Sequence, residues 1–100
     1  MLPFWLAPEQ VAVAPISHDQ AGYAAEAMEA LEHAGLRAVR FTEAETLSRR
    51  ILAAHEAAVP VIAILGRREQ ENRTVTLRER DGTQSVLPLA ETVAALSMRR

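Results

Sequence analysis

The sequence contains no cysteine and no lysine. Without thiols, disulfides and thiolate metal sites are excluded. Aromatic residues make up only 4%. The four glycines, at positions 22, 35, 66 and 82, are too scattered for a glycine-rich phosphate loop. No serine sits in a nucleophile elbow. The opening residues Met1 to Pro8 carry no basic leader, and no apolar run approaches membrane-span length. Neither a signal peptide nor a membrane association is expected, and a cytoplasmic location is the default. The histidines, His18, His33 and His55, lie far apart in sequence, and each has a local explanation near a helix start, near a helix end or within a helix. No metal and no cofactor is expected, and no catalytic residue is assigned.

What remains is an ordinary composition for a globular chain of 100 residues, with 49% hydrophobic and 24% charged residues. That length suits one domain, 1–100, with residues 1–10 as a proline-rich lead-in. The formal charge is −2, which by itself argues against a nucleic-acid partner. Its distribution points the other way. Residues 1–36 hold five acidic residues and no arginine, whereas residues 37–80 hold nine arginines against six acidic residues. The middle of the chain can therefore carry a basic surface that the total conceals. All eleven basic residues are arginine. In an alanine-rich chain codon bias explains that, but arginine also offers the flat, bidentate fork suited to phosphates and guanine edges.

Strand and helix signals alternate along the chain. Val11 to Ile16 is a short apolar run of the kind found in buried parallel strands, with Pro15 near its end. Ser17-His18-Asp19-Gln20 reads as a capping box opening a helix to about Ala34, with Gly35 as its stop. Leu36 to Phe41 reads as a second strand. Thr42 to Glu45 reads as a second capping box, starting a helix to about Ala57 whose inner face would carry Leu47, Ile51, Leu52 and His55. Val59 to Leu65 is the most apolar segment and is expected at the centre of the sheet. Thr74 to Arg78 alternates, Asp81-Gly82 marks a tight turn, Ser85 to Leu87 returns, and Pro88 starts a last helix to about Met98. The expected fold is three-layer α/β, β-α-β-α-β followed by a β-hairpin and a C-terminal helix, with a mixed sheet flanked by helices.

The stretch from Arg67 to Arg73 reads either as a solvated charged loop or as a polar reader at the strand ends, where open α/β sheets bind ligands. In the second reading its arginines grip phosphates and Glu69 accepts hydrogen bonds from a base edge. Arg78 and Arg80 are expected on the same side of one strand. Trp5 reads as a packing residue that ties the lead-in to the domain.

Three passages are more specific. Pro3-Phe4-Trp5-Leu6-Ala7-Pro8-Glu9-Gln10-Val11 with Pro15-Ile16, Val59-Pro60 with Gly66-x-x-Glu69, and Thr74 to Gly82 together resemble the anticodon-binding domain of threonyl-tRNA synthetases, over almost the whole chain. The resemblance implies a five-stranded mixed sheet with three helices. It also implies a tRNA partner with a threonine-type anticodon, and no DNA. The parent enzyme's threonine–tRNA ligase chemistry belongs to a separate catalytic domain, so no enzyme activity is expected of this stretch alone. Glu69 and Arg78 match the family's anticodon readers. The asparagine and arginines that the family uses around its second helix are here Ala44, Leu52 and Ala58, and a family glycine is Ser48. Arg49, Arg50 and Arg67 remain as candidate backbone contacts, with Arg80 beside Arg78. Two functional readings stay open: an anticodon-binding module, excised or free-standing, with weakened specificity; or a protein-interaction module that docks a synthetase or another protein. A small-ligand site at the strand ends has only topology in its favour.

Overall fold

The computed structural model describes residues 3–41, 48–49, 51–52 and 59–99. Its strands are β1 (Val11–Pro15), β2 (Ala38–Arg40), β3 (Val61–Leu65), β4 (Thr74–Glu79) and β5 (Gln84–Pro88). Its helices are α1 (Ala21–His33), α2 (Arg67–Asn72) and α3 (Leu89–Ser97), with 3-10 turns at Phe4–Leu6 and His18–Gln20. Ser48, Arg49, Ile51 and Leu52 are also helical. The rest of the helix expected over 42–57, His55 included, lies outside the described residues.

The strands form one five-stranded sheet in the order β2-β1-β3-β4-β5. β1 runs parallel to β2 and to β3, with Val11 opposite both Ala38 and Val61. β4 returns antiparallel to β3, with Ile62 opposite Arg78, and β5 closes the hairpin with Val86 opposite Thr76. β3 is the middle strand, as its apolar run implied. β1 and β3 are buried along their whole lengths, the signature of strands covered on both faces.

Alternation along the strands divides the core in two. Val11, Val13, Val61, Ala63, Leu65, Val75 and Leu77 face α1 and α3, packing with Tyr23, Ala27, Leu31 and Leu96. Ala12, Ala14, Ile62 and Ile64 face the other way and pack with Val39, Phe41 and Ile51. Ile51 points at the sheet, whereas its neighbour Leu52 is 58% exposed. Leu52 therefore lies off the inner face on which it was expected beside Ile51.

Local signals fix the ends of α1. The Ser17 hydroxyl accepts from the Asp19 N–H, and the Ser17 N–H donates to Gln20 Oε1 at 3.1 Å. This capping box opens the 3-10 turn that leads into α1. At the far end Gly35 takes φ 85°, and the Leu36 N–H reaches back to the Leu31 carbonyl at 3.0 Å.

The lead-in is held differently from expectation. Trp5 is 54% exposed, and Phe4 packs against the core instead. The anchor is polar: the Arg37 guanidinium donates to the carbonyls of Trp5, Ala7 and Pro8. Buried Gln10 donates to the Phe4 carbonyl and accepts from the Arg37 N–H. Carbonyls near the surface that lack strand partners are thereby satisfied.

Arg73 closes α2 in the left-handed region at φ 57°. Its guanidinium lies 5.1 Å from the Tyr23 ring centroid and pairs with Glu26. The Tyr23 hydroxyl donates to the Thr74 carbonyl at 2.7 Å, and burial pushes its pKa up.

Two tests follow from this packing. Ile64→Ala removes a 7%-exposed side chain from the middle strand and should lower unfolding free energy by about 2–5 kcal/mol in a denaturant titration. The hydrogen bond from Arg73 holds the Glu26 carboxyl below the ordinary glutamate pKa. A carboxyl with a lower pKa folded than unfolded stabilises the fold above its unfolded pKa, and that contribution vanishes as pH falls through the folded value. An NMR titration should find the Glu26 midpoint below the ordinary value, and Arg73→Ala should return it.

Candidate nucleic-acid interface

The even-numbered side of β4 carries Thr74, Thr76 and Arg78, while Val75 and Leu77 are buried in the core beneath. Thr76 lies between Ile64 and Val86, and Arg78 between Ile62 and Gln84. Toward β5 this side opens to solvent, where Val86 is 60% exposed. Arg78 is half-buried, and its Nε is fully buried without a hydrogen-bond partner among the described residues. Such a donor costs about 1–3 kcal/mol, so native structures rarely keep one without a use.

Two residues back on the same side of β4, Thr76 contacts Glu69. The segment expected to be a charged loop is instead the helix α2, and Glu69 is its third residue. Glu69 Oε1 accepts from the Gly66 N–H at 2.7 Å, and Oε2 accepts from the Thr76 hydroxyl at 3.2 Å. Glycine has no side chain, so this is one half of a capping box: the helix's third residue satisfies the cap's own N–H. A Cβ at Gly66 would sit 2.8 Å from Ile16 Cδ1 and 2.9 Å from Glu69 Oε1, so the close approach of the carboxylate depends on glycine. Arginine, glutamate and glutamine are good helix formers, and a glycine three residues before a glutamate was the signal for a helix start.

The other candidate residues are dispersed. Arg67 opens α2 and pairs with Glu71 at 3.2 Å, both largely exposed. Two residues from Glu69 on a helix, it cannot share that residue's direction. Arg80 lies past the end of β4 in the hairpin turn, so it does not continue the Arg78 side of the strand as expected. That turn is closed by the Glu79 N–H on the Thr83 carbonyl, with Gly82 at φ 91°. Arg49 is helical and exposed. Arg50, Ala44 and Ala58 lie outside the described residues. Among the described residues no group of three His, Asp or Glu is placed to hold a metal ion. No described helix is long and apolar enough to cross a membrane. Thr76 was missed from sequence, because nothing local to Thr74-Val75-Thr76 reports a partner seven residues back.

Residues 10–99 match the family described as the anticodon binding domain. The chain belongs to that family. The chain is similar to part of the threonine–tRNA ligase of Maricaulis maris, 43% identical over 99 residues, and to part of that of Thermus thermophilus, 42% identical over 89. These alignments take in 96% and 88% of this chain but only 15% and 14% of the ligases, so the chain spans about a seventh of their length. The RNA binding domain of threonyl-tRNA synthetase from Cryptosporidium parvum Iowa II superposes with a TM-score of 0.93 at 29% identity, covering 98% of this chain and 25% of that one. A histidyl-tRNA synthetase from Nostoc sp. PCC 7120 superposes at 0.87 with 22% identity, covering 92% of this chain and 22% of that one, which shows the shared fold. The five-stranded mixed sheet is thus the anticodon-binding fold, and the Glu69 and Arg78 side of it is the candidate interface of this anticodon-binding domain.

The clash atoms at Gly66 are the ends of flexible side chains, so Gly66→Ala should move Glu69 more than it harms the fold. The expected change in unfolding free energy is within about 1 kcal/mol, with the Glu69 carboxyl-carbon NMR resonance displaced. A loss well above about 2 kcal/mol would mark the contact as part of the folding core.

Proposed function

We propose that this domain binds the anticodon arm of a tRNA of threonine type across the β4 and α2 side of the sheet. The observation that carries the reading is the buried Nε of Arg78, without a hydrogen-bond partner among the described residues, on the same side of β4 as the Thr76 hydroxyl that anchors the Glu69 carboxylate. Arg78 grips a splayed base or a phosphate, and the carboxylate, repelled by phosphates, reads a base edge. Arg49 and Arg67 supply outlying backbone contacts, Arg50 is assigned the same role from sequence, and Arg80, expected beside Arg78, contributes positive charge from the hairpin turn. Activation of threonine and transfer to tRNA belong to parts of the relatives outside this stretch, so the domain's own role is holding RNA. Leu52, 58% exposed where the family places a polar reader, supports weakened discrimination, as in a free-standing paralogue.

Exposed Leu52, Val86 and Ile16 also favour a second reading, in which this side docks a synthetase or another protein. Salt separates the two. RNA held through arginine–phosphate contacts weakens steeply as salt rises, and an apolar protein contact does not.

Arg78→Met tests the first reading. Removing an unpartnered buried donor should leave the thermal midpoint unchanged or higher. Affinity for a threonine anticodon stem–loop, measured by fluorescence anisotropy at fixed salt, should fall by roughly 1–3 kcal/mol. Unchanged affinity with a lowered midpoint would assign Arg78 to the fold and not to RNA.

A further inference from the structure

Glu69 is held at both carboxylate oxygens, and the two anchors differ in kind. The Gly66 N–H belongs to the helix cap and is present whatever the side chains nearby. The second anchor is a side chain, Thr76, whose hydroxyl reaches Glu69 Oε2 at 3.2 Å from the neighbouring strand. Thr76 shares its side of β4 with Arg78, two residues on, and lies opposite exposed Val86. We propose that Thr76 is a positioning residue for base recognition, fixing the Glu69 carboxylate as an acceptor for the donor edge of a nucleobase held beside Arg78. The proposal rests on the tRNA reading above.

A glutamate has three rotors, and a half-exposed one held by a single bond loses side-chain freedom when a ligand fixes it. Two anchors remove most of that freedom before the ligand arrives, so binding then costs less. Each anchored oxygen keeps acceptor capacity, because a carboxylate offers about four lone-pair sites and the described residues use two of them. The ionised carboxylate can only accept, so it favours a base presenting an N–H and disfavours one presenting a carbonyl at that point. Orientation matters for such a contact, since a misaligned acceptor forfeits the bond. Val86, the cross-strand neighbour of Thr76 on the same side, adds an apolar surface within reach of the base ring. For the strand itself, valine at position 76 would serve as well as threonine, both being β-branched. The hydroxyl is what distinguishes them, and its partner is Glu69.

The experiment compares wild type, Glu69→Gln, Thr76→Val, Thr76→Ser and the Glu69→Gln/Thr76→Val double variant. Each full chain is titrated by fluorescence anisotropy against a threonine anticodon stem–loop and against stem–loops altered one anticodon base at a time. The Glu69 carboxyl-carbon resonance is recorded for the RNA-free proteins that retain Glu69. Expected is a wild-type preference that Glu69→Gln and Thr76→Val each narrow by about tenfold. The double variant should do no more than either alone, and Thr76→Ser should keep the preference. The resonance should move in Thr76→Val and stay in Thr76→Ser. Equal weakening toward all stem–loops, additive losses in the double variant, or an unmoved resonance would each overturn the positioning role. A wild type that grips every loop alike overturns base reading by Glu69. A wild type that binds none overturns the tRNA reading itself, and a resonance that still moves in Thr76→Val would show that failure to be distinct from any failure of the Thr76–Glu69 contact.

Discussion

The polar side of this domain depends on one reversal of the chain, between Leu65 at the end of β3 and Thr74 at the start of β4. β3 pairs in parallel with β1 on one edge and antiparallel with β4 on the other. A parallel neighbour needs a long crossover, but an antiparallel one can be reached in a few residues. The chain achieves this with a buried glycine, six residues of helix and a left-handed arginine. Tyr23 and Glu26 of α1 hold that arginine in place, through the ring contact and the ion pair. The helix N-terminus is thus delivered over β4, and Glu69 is carried to Thr76. With a longer connection the same residues would be present in the sequence and separated in space.

The second constraint is alternation. Because β4 buries Val75 and Leu77 on one side, Thr76 and Arg78 are committed to the other, and a one-residue slip would exchange core for surface. Pairing with Ile62 and Ile64, themselves buried, fixes that register. The arrangement buries the Arg78 Nε opposite Ile62 with no hydrogen-bond partner among the described residues, a cost the fold bears on the side proposed above to hold RNA.

Much of this was legible in the sequence, for identifiable reasons. The Ser17–Gln20 box, the Gly35 stop and the Asp81-Gly82 turn are signals carried by adjacent residues, and each sits where the structure uses it. The apolar run 61–65 named its own place at the centre of the sheet. What was illegible was short or non-local. α2 has only six residues and no apolar stripe, so periodicity could not reveal it. Trp5 looked like the anchor of the lead-in because tryptophan usually packs, whereas the hold is a fork from Arg37, some thirty residues away. Glu69 and Arg78 could be named from family resemblance, but the hydroxyl that anchors one and the missing partner of the other appear only once strand and helix are brought together.

The two ends of the fold meet. The Arg99 guanidinium, paired with Glu79 at 2.8 Å, lies 5.7 Å from the Phe4 ring centroid, and Phe4 packs on the α1 and α3 side of the sheet. A polypeptide entering at one end and leaving at the other would do so from a single corner, behind the surface that carries Glu69 and Arg78. The domain therefore suits grafting into a host loop, and joining its ends with a short linker while opening the chain at the Arg80–Thr83 turn should yield a circular permutant with the same sheet order.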